Sequence, residues 1–442
     1  MRTENTLLWR HWQETLTAHP ERIAITELAS GRTLTFADLS RKLDSRPGLE
    51  ADGFHLISTS SGGINFIIET LRAWRDGAVL VPLDEDSAPI LPDVPLLPGT
   101  VHLKLTSGST GLPRLIAFTG EQLAADASQV VRSMGLRTGM PNIGVISLAH
   151  SYGFSNLVTP LLLFGIPLIL VDSPLAGSLR NAFGKLKTPC ALPAVPAMWR
   201  AWHQSGILEN SPIKLAISAG APLPLELERA VFEDCGLKIH NFYGASECGG
   251  IAFDRTNVPR EAANMVGTAV HGVNLSVDEN GQMVVRSAAV GLGYWPADEL
   301  DASELGNGTF VTSDLAELGD GSVKLLGRAG ESIHVAGRKV SPAEIEAIIL
   351  ADPSVEYAVV FGIPSANAAR VEEIVACVRP KPGSAGVPPA ACIQILRQRL
   401  MESLPAWKCP RHWWITDELA PNGRGKISRA DCREKWQRSN AK

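Results

Sequence analysis

Along the first two thirds of the chain, segments with apolar residues at helical spacing alternate with short apolar runs that are typical of buried strands. Between residues 64 and 74 they recur every three or four positions, which predicts a helix capped by Ser60 or Ser61 and ended by Gly77. The apolar run over 78–82 predicts a buried strand directly afterwards. Similar short runs predict strands over 143–147, 168–171, 189–193 and 215–218. Helices and strands in alternation are typical of stacked α/β units.

The pattern changes near Gly272, where short alternating runs replace the helical periods. In this hairpin-rich β region, strands are expected over 274–277, 282–286 and 322–326. Beyond Arg328 we expect a short ribbon, a helix that begins near Ser341 and Pro342, two strands, and a helix over 391–404.

These elements predict two domains of unequal size. The expected fold class is α/β: a large N-terminal domain of stacked α/β subdomains with a small β-rich subdomain, followed by a small mobile α+β lid. We place the large domain at residues 1–327 and the C-terminal lid at 328–442. The lid, at roughly 110 residues, has the size of an ordinary domain.

Composition narrows the possible functions. The 442 residues are 45% hydrophobic, which suits a globular chain with more than one core. A formal net charge of −5 argues against nucleic acid as a partner, and the most apolar segment, 157–171, is too short for a membrane span of ~20 residues. Seven scattered cysteines without Cys-x-x-Cys spacing predict free thiols. We therefore expect a cytoplasmic protein that acts on a small molecule.

A loop of six small residues, Thr-Ser-Gly-Ser-Thr-Gly at 106–111, follows an apolar run that ends at Leu105. Its glycines let backbone N–H groups turn inward, and its hydroxyls can donate to phosphate oxygens or help hold a cation. The loop therefore suits an oligophosphate, although taken alone a plain turn is the simpler interpretation. No Lys-Ser/Thr pair follows Gly111, so the loop is not the P-loop of kinases and GTPases.

A second group of functional residue types lies at 241–247, where a predicted strand ends. Tyr243 could stack on a purine, and Glu247 could bind the magnesium that accompanies a nucleotide triphosphate. A strand end with a satisfied acidic residue is the alternative. The run from Gly244 through Ser246 nearly spells the nucleophile elbow of α/β-hydrolases, but Cys248 stands where the sharp turn needs glycine.

Six motifs in order resemble those of the adenylate-forming superfamily, which contains acyl- and aryl-CoA synthetases, nonribosomal-peptide adenylation domains and luciferases. The motifs are Thr106-Ser-Gly-Ser-Thr-Gly-Leu-Pro-Arg114, Ser218-Ala-Gly-Ala-Pro-Leu223, Tyr243-Gly-Ala-Ser-Glu247, Thr312-Ser-Asp-Leu315, Gly327-Arg328 with Gly337-Arg-Lys-Val-Ser-Pro-Ala-Glu-Ile-Glu346, and Pro421-Asn-Gly-Arg-Gly-Lys426. The resemblance extends from Gly31 to Lys426, and it is strongest to the acyl- and aryl-CoA synthetases.

The resemblance implies a reaction in two steps. A carboxylate attacks the α-phosphorus of ATP in the presence of Mg²⁺, pyrophosphate leaves, and a thiol then attacks the acyl-adenylate. The thiol would be CoA or the phosphopantetheine of a carrier protein. Relatives that activate amino acids supply an Asp in the segment that here spans 148–154, and no acid is present there. An aryl or fatty carboxylic acid is therefore the expected substrate class.

The resemblance also assigns roles to individual residues. Glu247, with Thr106, would hold magnesium, and Lys426 would neutralise charge between the carboxylate and the α-phosphate. Asp314 would bind the ribose hydroxyls with Arg328 close by. The ATP contacts implied are Thr106, Ser107, Gly108, Ser109, Thr110, Gly111, Gly220, Ala221, Pro222, Tyr243, Gly244, Ser246, Asp314 and Arg328.

The second half of the reaction involves further positions. His150 resembles a residue that lies beside the carboxylate and the pantetheine channel, so it joins Lys426 and Glu247 as a predicted catalytic residue. Gly337 would line the thiol tunnel, and the lid would turn at a hinge over 328–331, where Gly330 replaces the Asp or Lys usual in the family. The acid pocket is predicted to comprise Tyr152, Phe154, Trp199, Cys248, Gly249 and Gly250.

Some positions depart from the family pattern. Arg114 stands where Lys is usual, Ser246 where Thr is common, and Ser313 where Gly normally precedes the ribose-binding Asp. An inactive binding relative and a ligase that loads a carrier protein are the alternatives to a CoA ligase. Basic lid residues could hold the phosphates of CoA, and the candidates are Arg338, Lys339 and Arg411.

Overall fold

The fold was analysed in a computed structural model. It describes residues 5–84, 91–106, 114–296, 303–319, 321–336, 338–365, 371–381, 389–419 and 427–440. Predictions for Ser107, Gly108, Ser109, Thr110, Gly111, Gly337 and Lys426 fall outside these residues.

Amphipathic helices occur throughout the larger, N-terminal part of the chain. They are α1 (Asn5–Ala18), α2 (Phe36–Asp44), α3 (Gly63–Asp76), α4 (Gly120–Met134), α5 (Ser151–Gly153), α6 (Thr159–Phe164), α7 (Ala176–Lys185), α8 (Pro196–Gln204) and α9 (Leu225–Cys235). The predicted stop of α3 is confirmed, because Gly77 adopts the left-handed conformation. The predicted cap is wrong: Gly62 occupies the N-cap position, and Ser60 and Ser61 belong to a preceding 3₁₀ turn that the Ser58 side chain caps.

The strands of this part pair into two sheets. They are β1 (Ile23–Glu27), β2 (Arg32–Thr35), β3 (Phe54–Ser58), β4 (Val79–Leu83), β5 (His102–Thr106), β6 (Arg114–Phe118), β7 (Asn142–Gly144), β8 (Leu168–Leu170), β9 (Cys190–Ala194), β10 (Ile213–Ser218), β11 (Ile239–Ala245), β12 (Gly249–Phe253), β13 (Met265–Ala269), β14 (Asn274–Val277), β15 (Gln282–Arg286), β16 (Gly293–Trp295), β17 (Leu305–Gly306), β18 (Thr309–Gly319) and β19 (Ser322–Arg328). Strand β7 is shorter than predicted, because the chain turns after Gly144 into the loop that carries His150.

Within the described residues, a 14-stranded sheet follows the order β14-β15-β18-β19-β13-β12-β11-β10-β9-β7-β8-β1-β2, with β17 beside β18. Its centre, from β11 to β1, is parallel. Strands β14, β15, β18 and β19 form the predicted antiparallel region, which β12 and β13 connect to the parallel centre. A 5-stranded sheet follows the order β16-β6-β5-β4-β3. The predicted α/β class of the large domain is confirmed.

Three apolar clusters stabilise this domain, one of them within the 5-stranded sheet around Val81, Leu103 and Trp295. The second contains Trp12, Trp74 and Phe118 and is covered by α1, α3 and α4. The third surrounds the edge-to-face pair Trp199 and Trp202 near β9 and β10. The rings named in the second and third clusters are at most 1% exposed, and burial of one large apolar side chain contributes about 1.5–3 kcal/mol.

The C-terminal elements form a smaller α+β domain. They are β20 (Ile333–Val335), β21 (Arg338–Val340), α10 (Pro342–Leu350), β22 (Val355–Pro364), β23 (Glu372–Pro380), α11 (Pro389–Ser403), β24 (His412–Ile415) and α12 (Arg429–Asn440). Helix α10 begins at Pro342 as predicted, although the Ser341 side chain makes no cap bond. The domain has its own core, which includes Ile345, Val360 and Leu396. This confirms the small C-terminal domain, while its mobility and the boundary at 327/328 stay predictions.

Two other expectations concern the chain as a whole. All seven cysteines are described and free, as predicted. None of the helices seen in the described ranges has the length and apolar character needed to cross a bilayer.

Candidate active site

The predicted phosphate loop begins at one edge of the 5-stranded sheet. Strands β3, β4 and β5 are parallel neighbours, so their carboxyl ends meet at this edge. Thr106 is the last residue of β5, and Asp84 directly follows β4. Thr59, beyond the end of β3, donates from its Oγ1 to the backbone oxygen of Asp84 over 3.1 Å. The loop thus starts from a site where three strand ends converge.

Tyr243, Asp314 and Arg328 come together at the antiparallel strands of the large sheet. Asp314 and Arg328 face each other across β18 and β19, and Arg328 Nε donates to Asp314 Oδ1 over 3.0 Å. The Tyr243 hydroxyl, from β11, donates to the other oxygen of the same carboxylate. We call these three residues the ribose cluster, after the role that the sequence predicts for Asp314.

Burial and charge fix the ionisation of the ribose cluster. Burial, followed by the Asp314 carboxylate, raises the pKa of Tyr243 well above its usual value, so the phenol stays protonated and donates. Burial alone would lower the pKa of Arg328, but the Asp314 charge outweighs it and the pKa is raised. The arrangement is one carboxylate between a phenol and a guanidinium.

Glu247 lies just beyond β11 and is held from two directions. Its Oε1 accepts a hydrogen bond from the Tyr294 hydroxyl over 3.1 Å, and its backbone oxygen accepts one from Gly291 N over 2.8 Å. Tyr294 lies in β16, which pairs with β6 on the other side of the phosphate loop. The carboxylate is therefore fixed close to the elements that flank the loop.

Of the remaining predicted nucleotide contacts, residues 220–222 lie in the loop after β10, Gly244 lies in β11, and Ser246 lies in the turn after β11. Gly220, Ala221 and Pro222 follow β10, where Ala219 N donates to Ala194 O over 3.2 Å. Gly244 and Ser246 end the Tyr243 segment. Ser151 Oγ donates to Ser246 Oγ over 3.0 Å, which connects this segment to the loop that carries His150.

His150 lies at the N-terminal end of α5 and contacts a carboxylate that the sequence analysis did not identify. Its Nε2 lies within hydrogen-bond distance of Asp84 Oδ2, and Ser147 Oγ donates to Asp84 Oδ1. The loop between Ser147 and α5 closes on itself, because a Cβ at Gly153 would lie 1.9 Å from the Ser147 carbonyl oxygen. His150 therefore projects from a tightly folded loop.

Three of the predicted acid-pocket residues, Tyr152, Phe154 and Trp199, have partners inside the large domain. The Tyr152 hydroxyl and Trp199 Nε1 both donate to Ile217 O, each over 3.3 Å. Phe154 and Trp199 are at most 1% exposed, and the Phe154 ring centroid lies 4.6 Å from that of His102. Both side chains are core residues in this structure, so their contact with an acid stays a prediction.

Asp126 of α4 supports the other predicted acid-pocket residues, which are Cys248, Gly249 and Gly250. Asp126 Oδ1 accepts from Gly250 N over 3.3 Å, and its Oδ2 accepts from Ser155 Oγ. Gly249 has a φ of +71°, and a Cβ there would lie 2.0 Å from Asp126 Oδ1, so only glycine fits. Burial, followed by the Glu247 charge, raises the pKa of the Cys248 thiol well above its usual value, which makes it a packing residue and not a nucleophile.

The predicted hinge lies between two ion pairs. Arg328 is bound to Asp314, whereas Glu331 contacts Arg429 of α12. Gly330 lies between them in a 3₁₀ turn, and a Cβ there would meet no atom within 4 Å.

Two protein-family models match the part of the chain that carries most of the residues described above. Residues 92–295 match the family described as "AMP-binding enzyme", and residues 344–426 match the "AMP-binding enzyme C-terminal domain". Together they cover about two thirds of the chain, including Thr106, Glu247 and Tyr243.

The similar curated proteins include CoA ligases. A feruloyl-CoA synthase from Amycolatopsis sp. is 28% identical over 396 residues, which is 83% of this chain and 77% of that protein. A 4-hydroxybenzoate/benzoate CoA ligase from Rhodopseudomonas palustris is 26% identical over 353 residues, 75% of this chain and 64% of that protein.

Solved structures share the fold over nearly the whole chain. ATP-bound MatB from Rhodopseudomonas palustris superposes with a TM-score of 0.84 at 21% identity, covering 99% of each chain. The anthranilate CoA ligase AuaEII with anthranoyl-AMP gives 0.81 at 20% identity, covering 98% of each. The solved structures show the shared fold, and the two family models together with the CoA-ligase relatives show that the chain belongs to the adenylate-forming superfamily and is an AMP-forming ligase.

Proposed function

We propose that this enzyme joins an aryl or fatty carboxylic acid to ATP, releases pyrophosphate, and passes the acyl group from the adenylate to the thiol of CoA. The curated relatives support this proposal, since they are named for feruloyl and benzoyl CoA ligation. Both substrates are aromatic acids, which favours the aryl branch of the proposal.

The ribose cluster is the observation that carries the proposal. A carboxylate half-buried beside a protonated phenol and a guanidinium can accept hydrogen bonds from two neighbouring hydroxyls, which a ribose supplies. The Tyr243 ring and the turn at 220–222 would then frame the adenine. The phosphates would extend toward the sheet edge where β5 ends and the loop at 106–111 begins.

Glu247, with Thr106, is proposed to bind a magnesium ion that is held mainly by the nucleotide. Magnesium prefers oxygen ligands and usually takes only one or two carboxylates from the protein. Glu247 offers one carboxylate, oriented by Tyr294. In keeping with this, the described part of the chain contains no group of three or more His, Cys, Asp and Glu side chains that could hold a metal. The ion would offset the charge of the phosphates during adenylation.

The protein's contribution to adenylation would be positioning and charge neutralisation. Two anions, a carboxylate and a triphosphate, must meet, so a cation between them lowers the barrier. We assign that role to Lys426. His150 would lie beside the acid and the thiol channel lined by Gly337. Lys426→Ala is expected to lose adenylation, and Gly337→Leu is expected to spare it while blocking thioester formation.

The acceptor is proposed to be CoA, with a carrier protein as the competing outcome. Of the basic residues predicted to hold the phosphates of CoA, Arg411 pairs with Glu373 over 3.4 Å, and the Arg338 guanidinium lies 5.0 Å from the Trp407 ring centroid. Arg338 thus stays on an exposed face of the lid, where a phosphate could reach it.

ATP–pyrophosphate exchange across a panel of aryl and fatty acids tests the proposal. Exchange that depends on one class of acid names the substrate class. Thioester formation is then compared with CoA and with a phosphopantetheinylated carrier protein. Exchange with transfer only to the carrier would establish the alternative ligase, and no exchange with any acid would indicate the inactive relative.

A further inference from the structure

The contact between His150 and Asp84 joins two residues 66 positions apart, and neighbouring groups hold Asp84 in place. Asp84 follows β4 at the sheet edge, and its backbone oxygen accepts from Thr59 Oγ1 over 3.1 Å. Ser147 Oγ donates to its Oδ1, and Ala149 N donates to Ser147 Oγ over 3.3 Å. The carboxylate is thus oriented before His150 meets it.

A carboxylate on one ring nitrogen decides what the other nitrogen can do. Asp84 binds His150 at Nε2, so in the neutral ring the proton is held on Nε2, and Nδ1 carries the free lone pair. The His150 side chain is 40% exposed, so its ring is open to a reactant.

The loop places this pair next to the proposed reaction centre. Ser151, the residue after His150, donates to Ser246 Oγ over 3.0 Å, and Ser246 precedes Glu247. The phosphate loop starts one strand away from Asp84, at the end of β5. The acyl-adenylate would therefore form within reach of the His150 loop.

We propose that Asp84 is a positioning residue that holds His150 with Nδ1 as the proton acceptor for the thiol in the second half-reaction. The inference rests on the proposed function. The thiol S–H proton moves to Nδ1, the sulfur forms a bond to the acyl carbon, and the bond from that carbon to the phosphate oxygen breaks. AMP leaves with the electron pair, and the products are the thioester, AMP and the imidazolium.

Asp84→Asn tests this role, with Asp84→Glu as the conservative variant. An amide at position 84 can donate to Nε2, which moves the ring proton to Nδ1 and removes the acceptor. The matched control is Asp234→Asn, which changes another described contact of this kind, 2.8 Å between His203 Nε2 on α8 and Asp234 Oδ2 on α9.

Two half-reactions are measured separately: ATP–pyrophosphate exchange, and single-turnover transfer from preformed acyl-adenylate to CoA or pantetheine. Asp84→Asn should lower the maximal transfer rate roughly 100-fold at an unchanged KM for the thiol, and exchange no more than about threefold. Asp84→Glu should recover most of the transfer rate, and Asp234→Asn should match the wild type. Equal loss of both half-reactions, or a raised KM alone, would contradict the inference.

A spectroscopic measurement removes the dependence on substrate. In ¹⁵N-histidine-labelled protein with a neutral ring, the His150 signals, identified by their absence in His150→Gln, should show Nε2 protonated in the wild type and Nδ1 protonated in Asp84→Asn. A proton on Nδ1 in the wild type overturns the inference even if the enzyme is active. Absence of exchange in a wild type with the expected tautomer would instead refute the proposed function.

Discussion

Two arginine–carboxylate clusters flank the predicted hinge, where Arg328 of the first cluster lies three positions before Glu331 of the second. The first cluster belongs to the large domain and the second to the small domain. In the ribose cluster, Arg328 binds Asp314, and both belong to paired strands of the large sheet. In the second cluster, Arg429 binds Glu346 of α10 at 2.7 and 2.8 Å, and it also contacts Glu331. We call Glu331, Glu346 and Arg429 the lid anchor.

The clusters differ in burial and in what they leave available. The Arg328 side chain is 51% exposed and Asp314 faces the proposed nucleotide site, whereas Glu346 of the lid anchor is only 14% exposed. Burial raises the pKa of Glu346 more than the Arg429 charge lowers it. The ribose cluster thus suits ligand binding, and the lid anchor suits structural support.

The comparison sharpens the hinge prediction. Arg328 contacts Asp314 of the large domain and Glu331 contacts Arg429 of the small one, so we propose that the predicted lid rotation takes place at Ala329 and Gly330. Gly330 has open space around it and can absorb the change in backbone angles.

The largest effect is expected from Asp314→Ala, which removes the centre of the ribose cluster. Two hydrogen bonds to a charged group contribute about 1.5–3 kcal/mol each, so kcat/KM for ATP should fall roughly 100-fold or more. The melting temperature should fall by a few degrees, because the Tyr243 hydroxyl loses its hydrogen-bond partner. Steady-state exchange kinetics measure this. An unchanged KM and kcat would separate Asp314 from nucleotide binding.

Arg429→Met should destabilise the small domain by about 3 kcal/mol, because it leaves Glu346 buried without its partner. Urea unfolding monitored by tryptophan fluorescence measures the loss. The control is Arg438→Met on the same helix, whose exposed pair with Glu434 should contribute less than about 0.5 kcal/mol. Similar losses in both variants would show that the lid anchor has no special role.

Glu331→Gln should act on the second half-reaction alone. It removes one charge from the hinge side of the lid anchor but leaves the bidentate pair of Glu346 and Arg429 intact. A part-buried ion pair of this kind contributes about 1 kcal/mol, so transfer to the thiol should fall about fivefold. Single-turnover transfer is the measurement, and a matching fall in exchange would place Glu331 outside the pivot.

Gly330→Ala should have the smallest effect. The added methyl group meets no atom within 4 Å, so unfolding free energy should change by no more than about 0.5 kcal/mol. Lower backbone freedom should slow transfer about twofold to threefold while exchange stays at the wild-type rate. Faster transfer in Gly330→Ala than in the wild type would contradict this expectation, because it would show that the backbone freedom of Gly330 slows the lid rotation.

Local chemistry allowed much of the fold to be predicted from the sequence. The strands over 274–277 and 282–286 occur as predicted, because alternation and turn residues determine them locally. The cap of α3 was wrong because Ser60 can also bond within a 3₁₀ turn, which is a choice between two local structures.

The functional site likewise has residues that sequence motifs identify and contacts that only the folded structure shows. Tyr243, Asp314 and Arg328 were found through motifs, and their contact across 71 residues depends on strand pairing that no local period reveals. Tyr294 was missed because it reaches Glu247 only through the pairing of β16 with β6. Asp84 did carry a signal, since it directly follows a buried parallel strand, where functional side chains gather.

The most direct test of the account measures both half-reactions in the wild type, Asp314→Ala and Glu331→Gln, with the acid that supports exchange. We predict acid-dependent ATP–pyrophosphate exchange in the wild type, its loss in Asp314→Ala, and its retention in Glu331→Gln with slowed transfer to the thiol. Exchange that survives in Asp314→Ala, or that falls in step with transfer in Glu331→Gln, would contradict the assignment of the two clusters to two half-reactions.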